Sequence, residues 1–402
     1  MKKQVLLIVM ALFSIGTNAY DIVYDGIYYN VNSAEKTASV TYPINVLAPY
    51  NGDIIIPSEI TSKGGHIYRV TSIGDGAFQN CSGLTSLTIP ESVTSIGRNA
   101  FSRSFALSSI YISSLEAWCN IKFKEYLAAP GCNGGIHLYL NGREVKDLVI
   151  PNTVRSIGEY AFQGCIGLTS VTIPNSVESI GFSAFGGCTR LTSIAIPNSV
   201  RGLGGCLFNG CESLTSVILG KNVISIGAYS FSDCTNLKDV YCHAPNVLSV
   251  YEDKWVPEKK LSETELNNVT LHVPASLMES YSAKETWNVF GNIVALPQIQ
   301  YIIDGKTYKI TTYNVGDTVQ PEGIPVKKGY TFSGWSTIPT SMPEGEVIVT
   351  GSFTIIDDIQ DINVDEGGYQ IYTLNGKEVK TLQKGVNILR MSDGTTKKVV
   401  AK

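Results

Sequence analysis

Nine cysteines and four histidines are the residues of this chain best suited to chemistry. A thiolate can attack, bridge or bind a soft metal, and an imidazole moves protons near neutral pH. The sequence arranges neither set for such work. No Cys-x-x-Cys pair occurs, and His66, His137, His243 and His272 are scattered without metal-ligand spacing. Gly305-Lys306-Thr307 ends like a phosphate loop, but Gln300 stands where its first glycine is needed. Gly202-Leu203-Gly204-Gly205 starts a dinucleotide fingerprint that Leu207 breaks. Neither HExxH nor GxSxG is present. Nothing in the text places two carboxylates on a common floor. The formal net charge of −4, without an interleaved basic and aromatic stripe, leaves no footprint for nucleic acid. The sequence therefore predicts no catalytic site, no cofactor and no metal.

The cysteines are informative for their spacing instead. Cys165, Cys188, Cys211 and Cys234 stand 23 residues apart. Phe162, Phe185, Phe208 and Phe231 keep the same interval, as do Val154, Val177, Val200 and Val223. Ile157-Gly158, Ile180-Gly181, Leu203-Gly204 and Ile226-Gly227 form another column, and Leu168, Leu191, Leu214 and Leu237 close the set. Upstream, Val70, Ile73, Gly74, Phe78, Cys81 and Leu84 make one more unit. Val93, Ile96, Gly97, Phe101 and Leu107 make a sixth, with Ser104 in the cysteine column. Two departures break the period. Pro57 to Pro90 holds ten extra residues around Lys63–His66, and Pro90 to Pro151 holds 38.

What must position these columns follows from what one unit can bury. Leu168-Thr-Ser-Val171-Thr-Ile173 alternates apolar and small polar residues, which predicts a short strand with one face inward. About seven apolar side chains per unit cannot make a core alone, so the units must stack and pair strand on strand. Proline ends the strand, the glycine after isoleucine allows a turn where a Cβ would clash, and phenylalanine fills the interior. The 402 residues suit more than one domain, and 44% apolar against 16% charged residues excludes disorder.

The repeated text LTSVTIPNSVxSIGxxAFxGC resembles the bacterial BspA-like leucine-rich repeat over roughly residues 56–296. The resemblance implies a repeat solenoid of short parallel strands, occupying 56–250, with an N-terminal cap over 20–55. Leu115-Glu-Ala-Trp118-Cys119 through Leu148-Val-Ile-Pro151 resembles an insertion of that family, here 111–148. Val269–Pro274 with Tyr281, Trp287 and Phe290 resembles its C-terminal cap, here 251–297. Pro274 and Ser276 can start a helix whose Leu277 and Tyr281, with Trp287, seal the open end of the core. The family resemblance further implies host matrix proteins or other bacteria as partners.

Identical inward positions on stacked coils point side chains in parallel, so the cysteine column reads as a ladder of buried thiols acting as small apolar fillers. Disulfides between coils and a metal are the alternatives. Cys242 falls on an inward strand position, and Cys119 with Cys132 in the insertion is the best candidate pair. The odd number of cysteines leaves at least one free or intermolecular.

Residues 1–19 combine Lys2 and Lys3 with an apolar run from Val5 to Ile15 and end at Ala19. They read as a secretory signal rather than a short membrane anchor. The mature chain is then expected outside the cytoplasm, secreted or at the cell surface in association with the outer membrane, without a transmembrane segment. After Leu296-Pro297 the period ends. Within 298–355, Asp304-Gly305 signals a hairpin. Gly329-Tyr-Thr-Phe-Ser-Gly334-Trp335 with Met342-Pro343 and Gly351-Ser-Phe353 resembles the Listeria–Bacteroides, or internalin B-repeat type, module. That resemblance implies a small β-grasp-like spacer or contact unit. Tyr330, Phe332 and Trp335 read as its core before a ligand platform. Residues 356–402 open with an acidic linker (Asp357, Asp358, Asp361) and continue as short strands with an Asn375-Gly376 turn. This basic tail resembles the Bacteroidetes C-terminal β-module of the type IX secretion sorting kind.

The remaining feature is surface. Between the inward residues of each strand, Ser86 and Thr88, Ser109 and Tyr111, Ser170 and Thr172, Ser193 and Ala195, Ser216 and Ile218, and Asp239 and Tyr241 should point outward. An extended repeat face suits a large partner better than a small enclosed one, although serine and threonine are also ordinary solvent-facing strand residues. Trp118, Phe123 and Tyr126 of the insertion are a second candidate contact. The sequence thus predicts an exported bacterial surface protein, not an enzyme, that binds an extracellular protein or cell-surface macromolecule in adhesion. A glycan-binding accessory role is the alternative, favoured if Trp118 and Tyr111 are exposed.

Overall fold

The structure is a computed structural model and describes residues 20–43, 49–252, 260–355, 368–373, 375–392 and 394–401. The expected leader and the aspartates of the acidic linker lie outside the described residues. The chain divides into two compact units, Met1–Leu296 and Pro297–Lys402.

The first unit is a stack of coils with two strand positions per turn. One ladder runs through Asn51–Ile55, Gly83–Ile89, Ser109–Ile112 and His137–Leu140, with Arg143–Glu144 folded back antiparallel. Asp147–Val149 pairs with Ser170–Thr172, and the ladder resumes with Ser193–Ile196, Ser216–Leu219, Asp239–Cys242, Leu266–Val273 and Phe290–Ala295. Apart from Arg143–Glu144 the pairing is parallel, and Ser193, Ser216 and Asp239 face one another one period apart.

The sequence reading saw one strand per unit. The structure adds a second, the two or three residues around Ser-Ile-Gly: Ser156–Ile157, Ser179–Ile180, Gly202–Leu203, Ser225–Gly227 and Ser249–Tyr251 form their own parallel sheet. The glycine there is required by close approach rather than by its turn. A Cβ on Gly181 would lie 2.5 Å from Glu159 N, and one on Gly204 only 2.4 Å from the Gly181 carbonyl carbon and Phe182 N. The two strands are joined by a tight turn in which the residue three past the start donates back, as Val177 N–H does to the Pro174 carbonyl (3.1 Å).

Between the sheets the periodic residues form the core. Phe78 stacks on Phe101 with centroids 5.6 Å apart, Phe162 on Phe185 at 5.6 Å and Phe208 on Phe231 at 6.2 Å. Each phenylalanine thus meets its own copy from the next coil, which the 23-residue period makes inevitable once the strands are in register.

The thiols of Cys81, Cys165, Cys188, Cys211 and Cys234 are buried in one column, and all nine cysteines are free. Cys119 and Cys132, the pair expected from the insertion, are not bridged. The ladder thiols are also more than fillers. Cys188 Sγ donates to the Phe162 carbonyl at 3.2 Å, Cys211 to Phe185 at 3.2 Å and Cys234 to Phe208 at 3.1 Å. Ser104, in the same column, donates to the Phe78 carbonyl.

The ten extra residues after Pro57 form a hairpin, Glu59–Thr61 against Ile67–Ile73. Of the longer insertion, Lys122–Phe123 extends the second ladder and His137–Leu140 the first, so this segment lies within the stack. At the C-terminal end the expected helix is short, a 3-10 turn Ala275–Leu277 followed by Met278–Ser282. Tyr281 and Trp287 are fully buried beneath it.

The second unit is β-rich. Gln298–Ile303 and Lys306–Thr312 form the expected hairpin, with Asp304 and Gly305 both at positive φ, and Glu346–Gly351 lies parallel to the first strand. Ile299, Tyr301, Val319, Met342 and Val349 make a small core against which Trp335 packs. Tyr330 and Phe332 are half-buried. A separate four-stranded antiparallel sheet comprises Glu378–Val379, Tyr369–Thr373, Gly385–Met391 and Thr396–Ala401.

Candidate binding face

The strands of the first ladder alternate, so their even positions enter the core and their odd positions form an outward face. The residues expected on that face are there: Ser170, Thr172, Ser193 and Ala195 are exposed, and Ser86, Thr88, Ser109, Tyr111, Ser216, Ile218, Asp239 and Tyr241 are half-buried. Trp118 is not. It is buried, with Nε1 donating to the Ala161 carbonyl at 2.6 Å and its ring edge-on to Phe123. Phe123 is buried as well, and of this candidate contact only Tyr126 is exposed. The insertion aromatics failed as a surface because they plug the core where the period is interrupted.

Strand register extends the face beyond the residues the sequence suggested. One row runs through Ile55, Thr88, Tyr111 and Tyr139, each opposite the next. Val149 stands opposite Thr172. Ala195, Ile218, Tyr241, His272 and Val294 continue in register. Ile55 and Val149 are 67% and 62% exposed, large for aliphatic side chains on a packed sheet. Two aromatic pairs stand in the row: Tyr111 stacks on Tyr139 at 4.6 Å, and Tyr241 on His272 at 4.2 Å. Tyr139 could have been found from the alternating Leu138-Tyr-Leu140. His272 and Val294 carry no periodic signal.

The neighbouring row holds the charges, and these are tied down. Asp53 accepts from Ser86 Oγ (2.6 Å) and Thr85 Oγ1 (3.0 Å), and these hydroxyls hold its carboxyl below the usual aspartate range. Asp147 accepts from Ser170 Oγ at 2.6 Å. Glu144 pairs with His137 Nδ1 at 2.6 Å and with Lys146 at 3.5 Å, and the His137 contact, first, lowers its pKa. Asp239 pairs with His272 Nε2 at 2.9 Å. A third row is internally satisfied: Thr169, Thr192 and Thr215 each donate through Oγ1 to the carbonyl of the residue one period earlier, at 3.2, 3.3 and 3.0 Å.

Chemically the face can pack and hydrogen-bond. Among the described residues no group of three or more histidine, cysteine or acidic residues is placed to hold a metal. The ladder thiols are protonated, because burial pushes Cys165 and Cys234 up to about 12 and Cys188 and Cys211 well above the ordinary thiol value. Among the described residues no helix is long and apolar enough to cross a membrane.

No curated protein matches the chain. Among solved structures, the chain is similar to a leucine rich repeat protein of T. pallidum, with 23% identity over 57% of this chain and 85% of that one, at a TM-score of 0.33. A leucine rich cell surface protein of Faecalibacterium prausnitzii matches with 20% identity over 68% and 94%, at a TM-score of 0.34. A leucine-rich repeat protein of Bacteroides ovatus matches with 20% identity over 71% and 95%, at a TM-score of 0.23. Six copies of the BspA type leucine rich repeat region match residues 58–126 and 137–255. With the two-ladder stack and its 23-residue register, this makes the chain the carrier of a BspA-type leucine-rich repeat solenoid, followed by small β-rich sheets.

Proposed function

We propose that this is an exported bacterial surface protein whose solenoid binds an extracellular protein or cell-surface macromolecule, in adhesion. The outward row from Ile55 to Val294 carries the reading. It is long, flat and partly apolar, and it is made of residues the core does not need. Surfaces of that kind mark contacts with large partners. Residues 298–355 then serve as a spacer or contact module of the Listeria–Bacteroides type, and the basic terminal sheet as a sorting module. The glycan-binding alternative loses support from Trp118, which is buried, and from Tyr111, whose ring is stacked on Tyr139.

The test is binding of the mature chain, from residue 20 onward, to immobilised host matrix proteins and to bacterial cells. Thr172→Asp and Ser193→Asp, both on exposed positions, should weaken binding at least tenfold while leaving the thermal midpoint unchanged. Uniform failure of the unaltered chain to bind proteins and cells overturns the reading.

A further inference from the structure

Three neighbouring strands of the face carry no charge. Leu168–Ile173, Leu191–Ile196 and Leu214–Leu219 consist only of leucine, threonine, serine, valine, isoleucine and alanine. Thr172, Ala195 and Ile218 point outward from them. Thr192 N–H donates to the Thr169 carbonyl (3.3 Å) and so carries the row from one strand to the next. The threonine hydroxyls alongside are spent on backbone carbonyls. The nearest charges lie on the flanking strands, at Lys146 and Asp147 on one side and Lys238 and Asp239 on the other. Beyond them rise the aromatic pairs Tyr111/Tyr139 and Tyr241/His272.

We infer that this floor, between its two aromatic posts, takes an uncharged, apolar stretch of a partner polypeptide. The inference rests on the proposed binding function and names the chemistry of its partner. A charged side chain set on the floor would lose its hydration and find no opposite charge, which costs more than contact returns. An apolar side chain meets Ala195 and Ile218 at no such cost. A sugar ring favours an open aromatic face. In each post the two rings lie nearly parallel, at 19° and 12°, and each covers a face of the other. Their remaining edges suit the flanks of a peptide more than the plane of a sugar.

The probe is a phage-displayed library of random twelve-residue peptides, selected on the mature full chain. Peptides without charge and rich in aliphatic or aromatic residues should be enriched. Their binding should change less than twofold from low to high salt, and Ala195→Asp and Ile218→Asp should each weaken it at least tenfold. Both positions face outward, so folding is checked by an unchanged thermal midpoint, and Ile218→Ser provides a milder variant. Enrichment of basic or acidic peptides overturns the inference, as do neutral peptides indifferent to both substitutions. Binding on a glycan array that Ile218→Asp abolishes, with no peptide selected, also overturns it. None of these outcomes touches the broader reading if the chain still binds matrix proteins or cells. Failure there and here together removes both.

Discussion

Cys188 Sγ lies 3.2 Å from the Phe162 carbonyl oxygen and donates to it, one coil and three residues back along the chain. The same bond recurs from Cys211 and Cys234, and Ser104 makes it with oxygen in place of sulfur. The column therefore selects a small side chain with one hydrogen to give. Cys188→Ser should cost no more than about 1 kcal/mol, the range of a single neutral hydrogen bond. Cys188→Leu should cost about 1–3 kcal/mol, because the phenylalanine stack on either side leaves no space. Urea unfolding of both variants measures the difference. A serine variant as damaged as the leucine one would show that the bond has no part in the column.

The same burial makes stability sensitive to alkali. The folded chain holds Cys165 and Cys234 up at about 12, with Cys188 and Cys211 raised as well. In the unfolded chain a thiol ionises near about 8.5. Above that pH the unfolded state sheds protons that the folded state keeps, so stability is complete below it and falls as pH rises toward the folded values. Each buried thiol contributes a slope of roughly 1.4 kcal/mol per pH unit over that window. Unfolding midpoints taken at neutral pH and near about pH 10 should therefore differ less in Cys211→Ser than in the unaltered chain. Equal differences would show that the ladder ionises as freely folded as unfolded.

How far the sequence reached is clearest at particular residues. Phe162, Cys165 and Leu168 were legible as core because a column repeated 23 residues apart can only be inward or outward, and aromatic and aliphatic side chains settle which. Ser179–Ile180 was not legible as a strand, since two residues cannot show alternation. Trp118 misled because it stands in unrepeated text. Its burial depends on Ala161, 43 residues away, whose carbonyl it reaches only after the next coil closes over it. Ile55, Val149 and His272 escaped because each lies beyond a gap in the period, and only strand pairing places them beside Thr88, Thr172 and Tyr241.

Two glycines two residues apart separate the reasons for glycine in this fold. A Cβ at Gly204 would sit 2.4 Å from backbone atoms of the previous coil, which are themselves held in a ladder. At Gly202 the nearest atom is Ser225 Oγ at 3.7 Å, an ordinary contact. Gly204→Ala should destabilise by roughly 3 kcal/mol or more, as forced repacking of a core does. Gly202→Ala should be neutral or stabilise by up to about 1 kcal/mol through the unfolded chain. Thermal unfolding of the two variants decides it, and equal effects would mean that coil spacing is looser than these contacts require.

The C-terminal end of the stack tests whether coils support one another in sequence. Trp287 is buried between Tyr281, edge-on at 5.2 Å, and Phe290, stacked at 5.9 Å, and its Nε1 donates to the Leu248 carbonyl at 3.0 Å. It closes the apolar column that every inner coil closes with its neighbour. Trp287→Ala should cost about 3–5 kcal/mol, as loss of a large buried aromatic does. In a stack held by nearest-neighbour contacts that loss falls first on the adjacent coils. Hydrogen exchange should therefore quicken at Asp239–Cys242 and Leu266–Val273 well before Gly83–Ile89, on the far side of the insertion. Trp287→Phe, which keeps most of the bulk and removes the donor, should loosen the same strands to a smaller extent. Equal acceleration at both ends would mean that the solenoid opens as one unit and that its end residue matters only through total stability.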